Sequence, residues 1–352
     1  MLVSLIIPAY NAADTIERCL NSIYALSLKL DEFEVIVIDD ASTDHTCDVI
    51  ASYQSQHTNI TLLKQPENHR QGAARNRGVK IAKGKYICFV DADDIVMAGI
   101  VSAIRLAKEK KVDMVAMHHE WYDEEGNLYF IPKNLSWSHN EIFSGIQMEA
   151  THPWWCSGPI GYIYDRDFLQ TTQYPFAEDV IYEDADFVMN HLYYARRMIY
   201  SEECAYHVLY NSSSTTHAPS YRNVSDFLFL GMRMLALYER IYPDVENTLD
   251  VKDKENIRKF AEHALDGACY NLYKSCYRLI KLSSREEIEA FYNRLDAHYD
   301  RDVLLADKRL RAYYWNGWTW LCLSHRRIAT IIASIVIKAY FVFKRVKKSG
   351  RK

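Results

Sequence analysis

Short apolar runs alternate with helical patterns over the first part of the chain, and this alternation is the strongest constraint on the fold. The apolar runs, each of which predicts a buried strand, lie at residues 3–7, 33–38, 60–63 and 86–90. Between the first two, Ile16, Leu20 and Ile23 recur at helical spacing. Because short connections join the elements, the pattern predicts an α/β fold with a mostly parallel sheet and helices on both faces. Pro8 is expected to end the pairing of the first strand.

Two of the predicted strands end in carboxylates. Asp39 and Asp40 follow one strand, and Asp91, Asp93 and Asp94 follow another. The carboxyl ends of parallel strands share one edge of a sheet, which is where open α/β sheets bind ligands. Carboxylates at this density repel one another unless a cation compensates them, so they indicate a site for a divalent metal and a diphosphate. An acidic turn that caps a helix is the alternative explanation.

Composition and missing motifs exclude several classes of protein. The 352 residues are 49% hydrophobic with a formal net charge of -4, which predicts a large globular core and argues against nucleic acid as a partner. The sequence has no Gly-x-Gly-x-x-Gly motif and no P-loop, so dinucleotide oxidoreductases and P-loop NTPases lose support. The eight scattered cysteines, without a Cys-x-x-Cys pair, predict reduced thiols in a cytosolic protein and no zinc site. The short apolar run after Met1, with no basic residues before it, predicts no signal peptide.

Four motifs together resemble the family 2 glycosyltransferases, which have the GT-A fold. They are Pro8-Ala9-Tyr10-Asn11, the block from Asp39 to Asp44, Ala74-Arg75-Asn76, and an Asp-x-Asp pattern at Asp91-Ala92-Asp93. They occur in the family's order and at its usual spacing, closely over about the first 100 residues and loosely over about 210. The resemblance implies a GT-A sheet that binds a nucleotide-sugar donor.

The resemblance also implies a role for each motif. The residues that would line the base and ribose are Pro8, Ala9, Tyr10 and Asn11. Asp40 would accept a hydrogen bond from the base, uracil, and Arg75 would lie near the base or the diphosphate. Asp91 would contact the ribose or a metal-bound water, Ala92 would line the donor site beside it, and Asp93 would bind Mg²⁺ or Mn²⁺ directly. A divalent cation neutralises the charge that develops on the departing nucleoside diphosphate.

A second acidic motif stands at Tyr182-Glu183-Asp184-Ala185-Asp186, where a helical pattern begins. It resembles the Glu-Asp motif of the same family. An inverting transfer needs a base that takes the proton of the acceptor hydroxyl, and the resemblance assigns this role to Asp184, with Glu183 as an orienting neighbour. Taken alone, the motif is an ordinary acidic helix start.

Other candidate residues depend on weaker signals. Trp154 and Trp155 lie where the family often forms its acceptor site and would stack on a sugar ring, or else form a packed corner. His217 would complete the metal shell, although a lone histidine is more often structural. The chain departs from the family pattern at Asn211, where many members have an arginine, so that charge compensation would come from elsewhere, for example from Arg222.

The C-terminal third predicts two further parts. A helical accessory domain is expected at 221–325, after a catalytic domain at 1–220. Residues 328–343 are mostly apolar but shorter than the roughly 20 needed to span a bilayer, and basic residues follow them. The segment 326–352 therefore predicts an amphipathic helix on the anionic inner face of the cell membrane, with a final helix packed on the protein as the alternative.

These features predict an inverting, metal-dependent glycosyltransferase of the hexosyl or N-acetylhexosaminyl type, cytoplasmic and peripheral on the membrane. Its donor would be a UDP-sugar and its acceptor a hydroxyl of a glycan or lipid-linked glycan, as in bacterial polysaccharide assembly. Two alternatives stay open. A sugar nucleotidyltransferase usually has a Gly-rich loop with Arg or Lys after its first strand, which this chain lacks. A non-catalytic glycan- or membrane-binding module on the same fold would not need its acidic motifs.

Overall fold

The computed structural model describes residues 1–138, 140–210 and 221–279, with a few residues between 284 and 293. The predictions for His217 and for the segment 326–352 lie outside these residues. The chain divides into two compact units. One unit comprises Met1–Ser214 and Ile241–His263, and the other comprises Thr215–Arg240 and the chain from Ala264 onward. The boundaries expected at 220 and 325 stay predictions.

The described residues between 1 and 210 form nine strands and seven helices. The strands are β1 (Val3–Ala9), β2 (Phe33–Asp39), β3 (Ile60–Lys64), β4 (Tyr86–Phe89), β5 (Ile95–Val96), β6 (Met114–Tyr122), β7 (Leu128–Phe130), β8 (Tyr162–Asp165) and β9 (Met198–Leu209). The helices are α1 (Ile16–Tyr24), α2 (Thr46–Gln56), α3 (Arg70–Ile81), α4 (Gly99–Lys110), α5 (Gly145–Thr151), α6 (Arg166–Thr172) and α7 (Glu183–Tyr194). A 3-10 turn, Pro159–Gly161, precedes β8.

The nine strands form one mixed sheet. Its order is β3-β2-β1-β4-β8-β6-β9-β5, and β7 pairs with the outer part of β6. The four strands β3, β2, β1 and β4 are parallel, as predicted. The other half is different, because β8 pairs antiparallel with both β4 and β6. The α/β fold is confirmed, but β8 was not predicted, since its four residues carry too short a pattern to separate strand from loop.

The central strands form because their residues are apolar on both faces. All seven residues of β1 and of β2 are buried, as expected for strands that helices cover on both sides. Pro8 was expected to end the pairing of β1, and this prediction is wrong. Pairing with β2 continues to Ala9 opposite Asp39, whereas pairing with β4 stops at Ile6 opposite Phe89. Pro8, which has no N–H to donate, therefore faces the side of β1 on which strand pairing has already stopped.

Two long helices follow the sheet, α8 (Tyr221–Asn247) and α9 (Val251–Leu279). They confirm the helical character predicted for this part of the chain, as far as it is described. In the second unit, the Ser275 hydroxyl donates to the backbone oxygen of Val224 at 2.7 Å. Among the described residues, no helix is both long enough and apolar enough to cross a membrane.

Candidate active site

Arg75, a side chain of α3 with no exposed surface, lies at the centre of the candidate active site. Its Nη1 atom donates to Glu183 Oε1 and to Asp184 Oδ1, both at 2.7 Å. Its Nη2 atom donates to Asp91 Oδ1 at 2.8 Å. The planar guanidinium fork can hold several carboxylate oxygens in fixed positions. One residue therefore joins the loop after β4 to the start of α7.

The contacts of Arg75 indicate a role that the resemblance did not imply. Arg75 has no exposed surface, and its place near the base or the diphosphate stays a prediction. Its guanidinium carbon also lies 5.3 Å from the centroid of the Phe176 ring, which covers it further. The geometry supports a positioning role, in which Arg75 holds three acidic residues together.

The three carboxyl groups around Arg75, if all were ionised, would carry more negative charge than its single positive charge can neutralise. Burial alone would lower the pKa of Arg75, but Asp184, Asp91 and Glu183 raise it above its ordinary value, so the guanidinium stays charged. Burial and the neighbouring Asp184 raise the pKa of Glu183 to about 8. The raised pKa favours the protonated form of Glu183, which reduces the repulsion inside the cluster.

Asp184 and Glu183 differ in their access to solvent. The side chain of Glu183 is 3% exposed, whereas that of Asp184 is 35% exposed. Burial raises the pKa of Asp184 as well, although Arg75 opposes the shift. Only the Oδ1 atom of Asp184 contacts Arg75. Of the two acids, Asp184 is therefore the one that a solute can reach.

The acidic loop after β4 is held in place by β9. The backbone N–H of Asp91 donates to the Tyr206 hydroxyl oxygen at 2.8 Å. The backbone N–H of Leu209 donates to Asp94 Oδ1 at 2.8 Å. Asp94 is 2% exposed, and burial together with Asp91 and Asp93 raises its pKa well above the ordinary value. Asp94 is thus a structural anchor, which leaves Asp91 and Asp93 as the acids that a ligand could meet.

Residues 8–11 lie at the same edge of the sheet as this loop. Pro8 and Ala9 are buried at the end of β1, and Tyr10 is 48% exposed beyond it. Asn11 has a φ of 48°, a left-handed conformation that asparagine tolerates better than most residues. Its N–H donates to Ser42 Oγ at 2.9 Å. The loops after β1 and β2 are therefore fastened together beside the acidic loop.

Asp40 lies at the end of β2 and is 3% exposed. Its Oδ1 atom accepts hydrogen bonds from Gln65 Nε2 at 2.6 Å and from the backbone N–H of His69 at 2.8 Å. Burial raises the pKa of Asp40, although these hydrogen bonds oppose the shift. Asp40 therefore ties the loop after β3 to β2, and this contact was not predicted from the sequence.

Part of the chain matches a known protein family. Residues 4–171 match the family model for Glycosyl transferase family 2. These residues belong to glycosyltransferase family 2. The family that the four motifs resembled is thereby confirmed, and the acidic residues around Arg75 lie within the matched range or shortly after it.

Two curated relatives show the extent of the similarity to the family 2 domain. The chain is 29% identical over 231 residues to the uncharacterized glycosyltransferase YibD of Escherichia coli (strain K12), across 63% of this chain and 66% of YibD. It is 43% identical over 114 residues to WfaP of Escherichia coli, across 32% of this chain and 43% of WfaP. WfaP is named a UDP-Glc:alpha-D-GlcNAc-diphosphoundecaprenol beta-1,3-glucosyltransferase. The chain spans less than two thirds of the length of either relative.

A solved structure shares the fold of the family 2 domain and of the helices that follow it. It is the crystal structure of S. aureus TarS 1-349 in complex with UDP-GlcNAc. The TM-score is 0.62 at 20% sequence identity, and the match covers 98% of this chain and 92% of that chain. At this identity the likeness shows the fold alone, and it confirms the predicted GT-A sheet with a helical C-terminal region.

The oxygen donors of the family 2 domain fit a hard divalent cation. Asp91, whose side chain is 27% exposed, uses only its Oδ1 atom for Arg75. Asp93 is partly buried, and its backbone oxygen accepts a hydrogen bond from Arg18 Nη2 at 2.6 Å, which fixes the loop. Carboxylate oxygens are the ligands that Mg²⁺ and Mn²⁺ prefer. Asp93 and Asp91 are therefore the residues that would hold the metal, while Ala92 between them is buried.

The family 2 domain also contains positioning residues that sequence reasoning missed. Asn76 exchanges two hydrogen bonds with the backbone of Phe176, from Nδ2 to O at 3.0 Å and from N to Oδ1 at 2.9 Å. A Cβ atom on Gly72 would lie 2.2 Å from the backbone oxygen of Ala177. The loop before α7 is thus docked on α3, which places Glu183 beside Arg75. Asn76 stood in the recognised motif and Gly72 lies two residues before that motif, but nothing in the sequence indicated their partner.

The two predicted acceptor residues differ in their surroundings. Trp155 lies against the rings of His119 and Tyr162, with centroid distances of 5.2 and 6.1 Å, and its Nε1 atom donates to the backbone oxygen of Lys133. These contacts are those of a packed corner. Trp154 is partly buried and has a φ of 55°, a strained conformation for a bulky residue. A contact with a sugar ring stays a prediction for both.

A cavity of about 850 Å³ opens at the opposite edge of the sheet, near Met1 and Tyr86. Its wall includes Asp165 and Asp167, whose carboxylates lie 2.9 and 2.7 Å from Lys85 Nζ. These charges are already paired, and the lining contains none of the residues that the family motifs indicated. The acidic cluster around Arg75 is therefore the stronger candidate for the active site.

Proposed function

We propose that this chain is an inverting glycosyltransferase that transfers a hexosyl or N-acetylhexosaminyl group from a UDP-sugar to a hydroxyl of a glycan or lipid-linked glycan. The observation that carries the proposal is the single guanidinium of Arg75, which joins the acids after β4 to the acids at the start of α7. This contact brings the residues suited to donor binding and to proton removal into one site.

The donor and acceptor classes are supported by the names of relatives. WfaP is named for UDP-glucose and for an acceptor linked to diphosphoundecaprenol. A third relative, from Bacillus spizizenii, is named a Poly(ribitol-phosphate) beta-glucosyltransferase and is 35% identical over 116 residues, across 32% of this chain and 18% of that protein. The family match also removes support from the sugar nucleotidyltransferase alternative, whose fingerprint loop the sequence lacks.

Asp184 is the proposed general base. Its carboxylate takes the proton of the acceptor hydroxyl, the hydroxyl oxygen forms a bond to the anomeric carbon, and the bond from that carbon to the diphosphate breaks on the opposite face. Arg75 fixes Asp184 Oδ1, so the other oxygen of the carboxylate can meet the acceptor. Glu183, with its raised pKa, limits the negative charge beside the incoming nucleophile.

Asp93 and Asp91 are the proposed ligands of Mg²⁺ or Mn²⁺. The cation, when bound, neutralises charge on the departing nucleoside diphosphate. Asp40 and residues 8–11, which include Tyr10, are proposed to contact the base and ribose, because they lie at the same edge of the sheet as Asp91. His217 stays a candidate for the metal shell on the strength of the sequence alone.

The test combines binding with turnover. Thermal unfolding is measured with UDP, GDP, CDP and dTDP, each with and without Mn²⁺, for the wild type and for Asp93→Ala and Asp184→Asn. A ligand that binds only the folded state raises the midpoint, so we expect a Mn²⁺-dependent shift with UDP that Asp93→Ala abolishes and Asp184→Asn keeps. A shift with another nucleotide would correct the donor, and no shift at all would reject the donor site.

Turnover separates the enzyme from a non-catalytic module. The loss of a general base typically reduces the rate by about 10²–10⁴-fold, so Asp184→Asn should bind UDP normally and lose most of its transfer of sugar from UDP-glucose or UDP-GlcNAc to lipid-linked acceptors. The anomeric configuration of the product, determined by NMR, reports inversion. Unchanged transfer by Asp184→Asn would remove the base assignment, and a retained configuration would remove the inverting mechanism.

We also propose that the chain acts at the inner face of the cell membrane, through residues 328–352. The support is the run of basic residues that ends at Lys352, since each basic residue near an anionic surface contributes about 1 kcal/mol. The full chain should sediment with vesicles that contain an anionic lipid, and less so at high salt. The variant Lys347→Gln with Lys348→Gln should bind more weakly, and equal binding to neutral vesicles would contradict the proposal.

A further inference from the structure

A second group of metal-ligating side chains lies on β6 and β9, apart from the acids around Arg75. Glu120, Cys204 and His207 each offer one ligand atom, and these three atoms lie within 4.8 Å of one another. Among the residues that the structure describes, this is the one such group of three. It mixes a thiol, an imidazole and a carboxylate, which are the three ligand types of protein zinc sites.

The pairing of β6 with β9 brings these residues together. Glu120 lies directly opposite His207 in the parallel ladder. The register shifts between Met117, which faces Ser201, and His119, which faces Tyr206. Cys204 belongs to the extra stretch of β9 that this irregularity accommodates. Bulges of this kind redirect side chains, and here the bulge carries Cys204 to the pair Glu120 and His207.

The separation of two of the ligand atoms suits a bound ion. His207 Nε2 lies 3.4 Å from Glu120 Oε2, which is longer than a good hydrogen bond. Tetrahedral zinc with bonds of about 2.0–2.1 Å to nitrogen and oxygen places two such ligands about 3.3–3.4 Å apart. The observed distance therefore matches one edge of a zinc tetrahedron.

Neighbouring hydroxyl groups hold the ligands in position. The Tyr122 hydroxyl donates to Glu120 Oε2 at 2.7 Å. His118 Nε2 lies 3.7 Å from Glu120 Oε1, and the Tyr200 hydroxyl lies 3.3 Å from His118 Nδ1. Contacts of this kind orient metal ligands in established sites. The side chains of Glu120 and His207 are 21% and 18% exposed, so an ion can enter from solvent.

We propose that Cys204, His207 and Glu120 bind Zn²⁺, with a water molecule as the fourth ligand. The site is structural with respect to sugar transfer, and it does not depend on the proposed function. Its consequence lies in β9, which carries Tyr206 and Leu209. Because these two residues fix the acidic loop after β4, zinc that clamps β9 to β6 also stabilises that loop.

The first experiment measures metal binding to the full chain. The chain is stripped with a chelator and titrated with Co²⁺, whose bonds to a thiolate give a charge-transfer absorption in the near ultraviolet. We expect this absorption with one equivalent of Co²⁺, and its displacement by Zn²⁺. Cys204→Ser and His207→Gln should abolish or weaken it, whereas the matched thiol control Cys47→Ser and the active-site variant Asp93→Ala should retain it.

Two further measurements leave all three ligands in place, so they do not depend on the folding of a ligand variant. Tyr122→Phe retains all three ligands and should weaken Zn²⁺ affinity by about 10–100-fold. In the wild type, saturating Zn²⁺ should protect Cys204 from alkylation while Cys47 reacts at an unchanged rate, as read by mass spectrometry. Absence of thiolate absorption, or equal alkylation of Cys204 with and without Zn²⁺, would overturn the proposal.

Discussion

Glu183→Gln should change how the stability of the protein depends on pH. The carboxyl of Glu183 is buried against Arg75 and Asp184, and its pKa is raised from an ordinary value of 4.5 to about 8. In that interval the folded chain holds a proton at Glu183 that the unfolded chain has released. The free energy of unfolding of the wild type must therefore fall as the pH rises from 4.5 toward 8.

The magnitude follows from linkage. A full difference of one proton changes the free energy of unfolding by about 1.4 kcal/mol for each pH unit. Across the interval, the contribution of Glu183 therefore amounts to roughly 4 kcal/mol, without a discount for solvent screening because its side chain is 3% exposed. Glutamine has the shape of the protonated acid and cannot ionise. Glu183→Gln should match the wild type near pH 4.5 and be more stable near pH 8.

Urea unfolding, followed by tryptophan fluorescence at several pH values, measures this difference. The control is Glu141→Gln, which removes an exposed carboxylate and should follow the wild type throughout. Parallel curves for Glu183→Gln and the wild type would refute the reasoning, because they would mean that Glu183 is ionised across the whole interval. The excess negative charge around Arg75 would then have to be neutralised at Asp91 or Asp184.

Three other substitutions test the contacts that build the site. Arg75→Lys keeps the charge but loses the fork, so it should reduce the free energy of unfolding in urea by about 2 kcal/mol and lower sugar transfer; wild-type stability would contradict the bridging role. Gly72→Ala places a Cβ 2.2 Å from the backbone oxygen of Ala177, so it should displace the loop before α7 and lower the transfer rate. The control is Gly126→Ala, where nothing lies within 4 Å of the new Cβ. This control should affect stability alone. Tyr206→Phe leaves the N–H of Asp91 without its acceptor, which costs about 1–3 kcal/mol and should weaken the Mn²⁺-dependent thermal shift with UDP; an unchanged shift would show that β9 does not support the acidic loop.

The parallel half of the sheet could be predicted because its signals are local. Each of β1, β2 and β4 is a short apolar run that ends in a turn, and parallel topology then places Asp40 and Asp91 at one edge without further information. The antiparallel half could not be predicted in the same way. The four residues of β8 form a strand because they pair with β4 on one side and with β6 on the other. This pairing depends on the complete fold and not on the local sequence.

The residues of the site were predicted better than their contacts. Asp91, Asp184 and Arg75 were each recognised from family motifs, but their junction depends on the docking of the loop before α7 onto α3. The ligands proposed for zinc were missed for a related reason. Cys204 and His207 lie close together in the sequence, but Glu120 joins them only because β6 and β9 pair with an irregular register.

The antiparallel insertion of β8 has a consequence for the order in which this protein folds during synthesis. β3, β2, β1 and β4 lie early in the chain and can pair as soon as they leave the ribosome. The outer edge of β4 then stays open until β8 arrives, and Arg75 stays without its partner Asp184, which lies 109 residues later. Open strand edges invite pairing with other chains. We expect nascent chains that stop before β8 to aggregate, and β8 to act as the segment that ends this exposure.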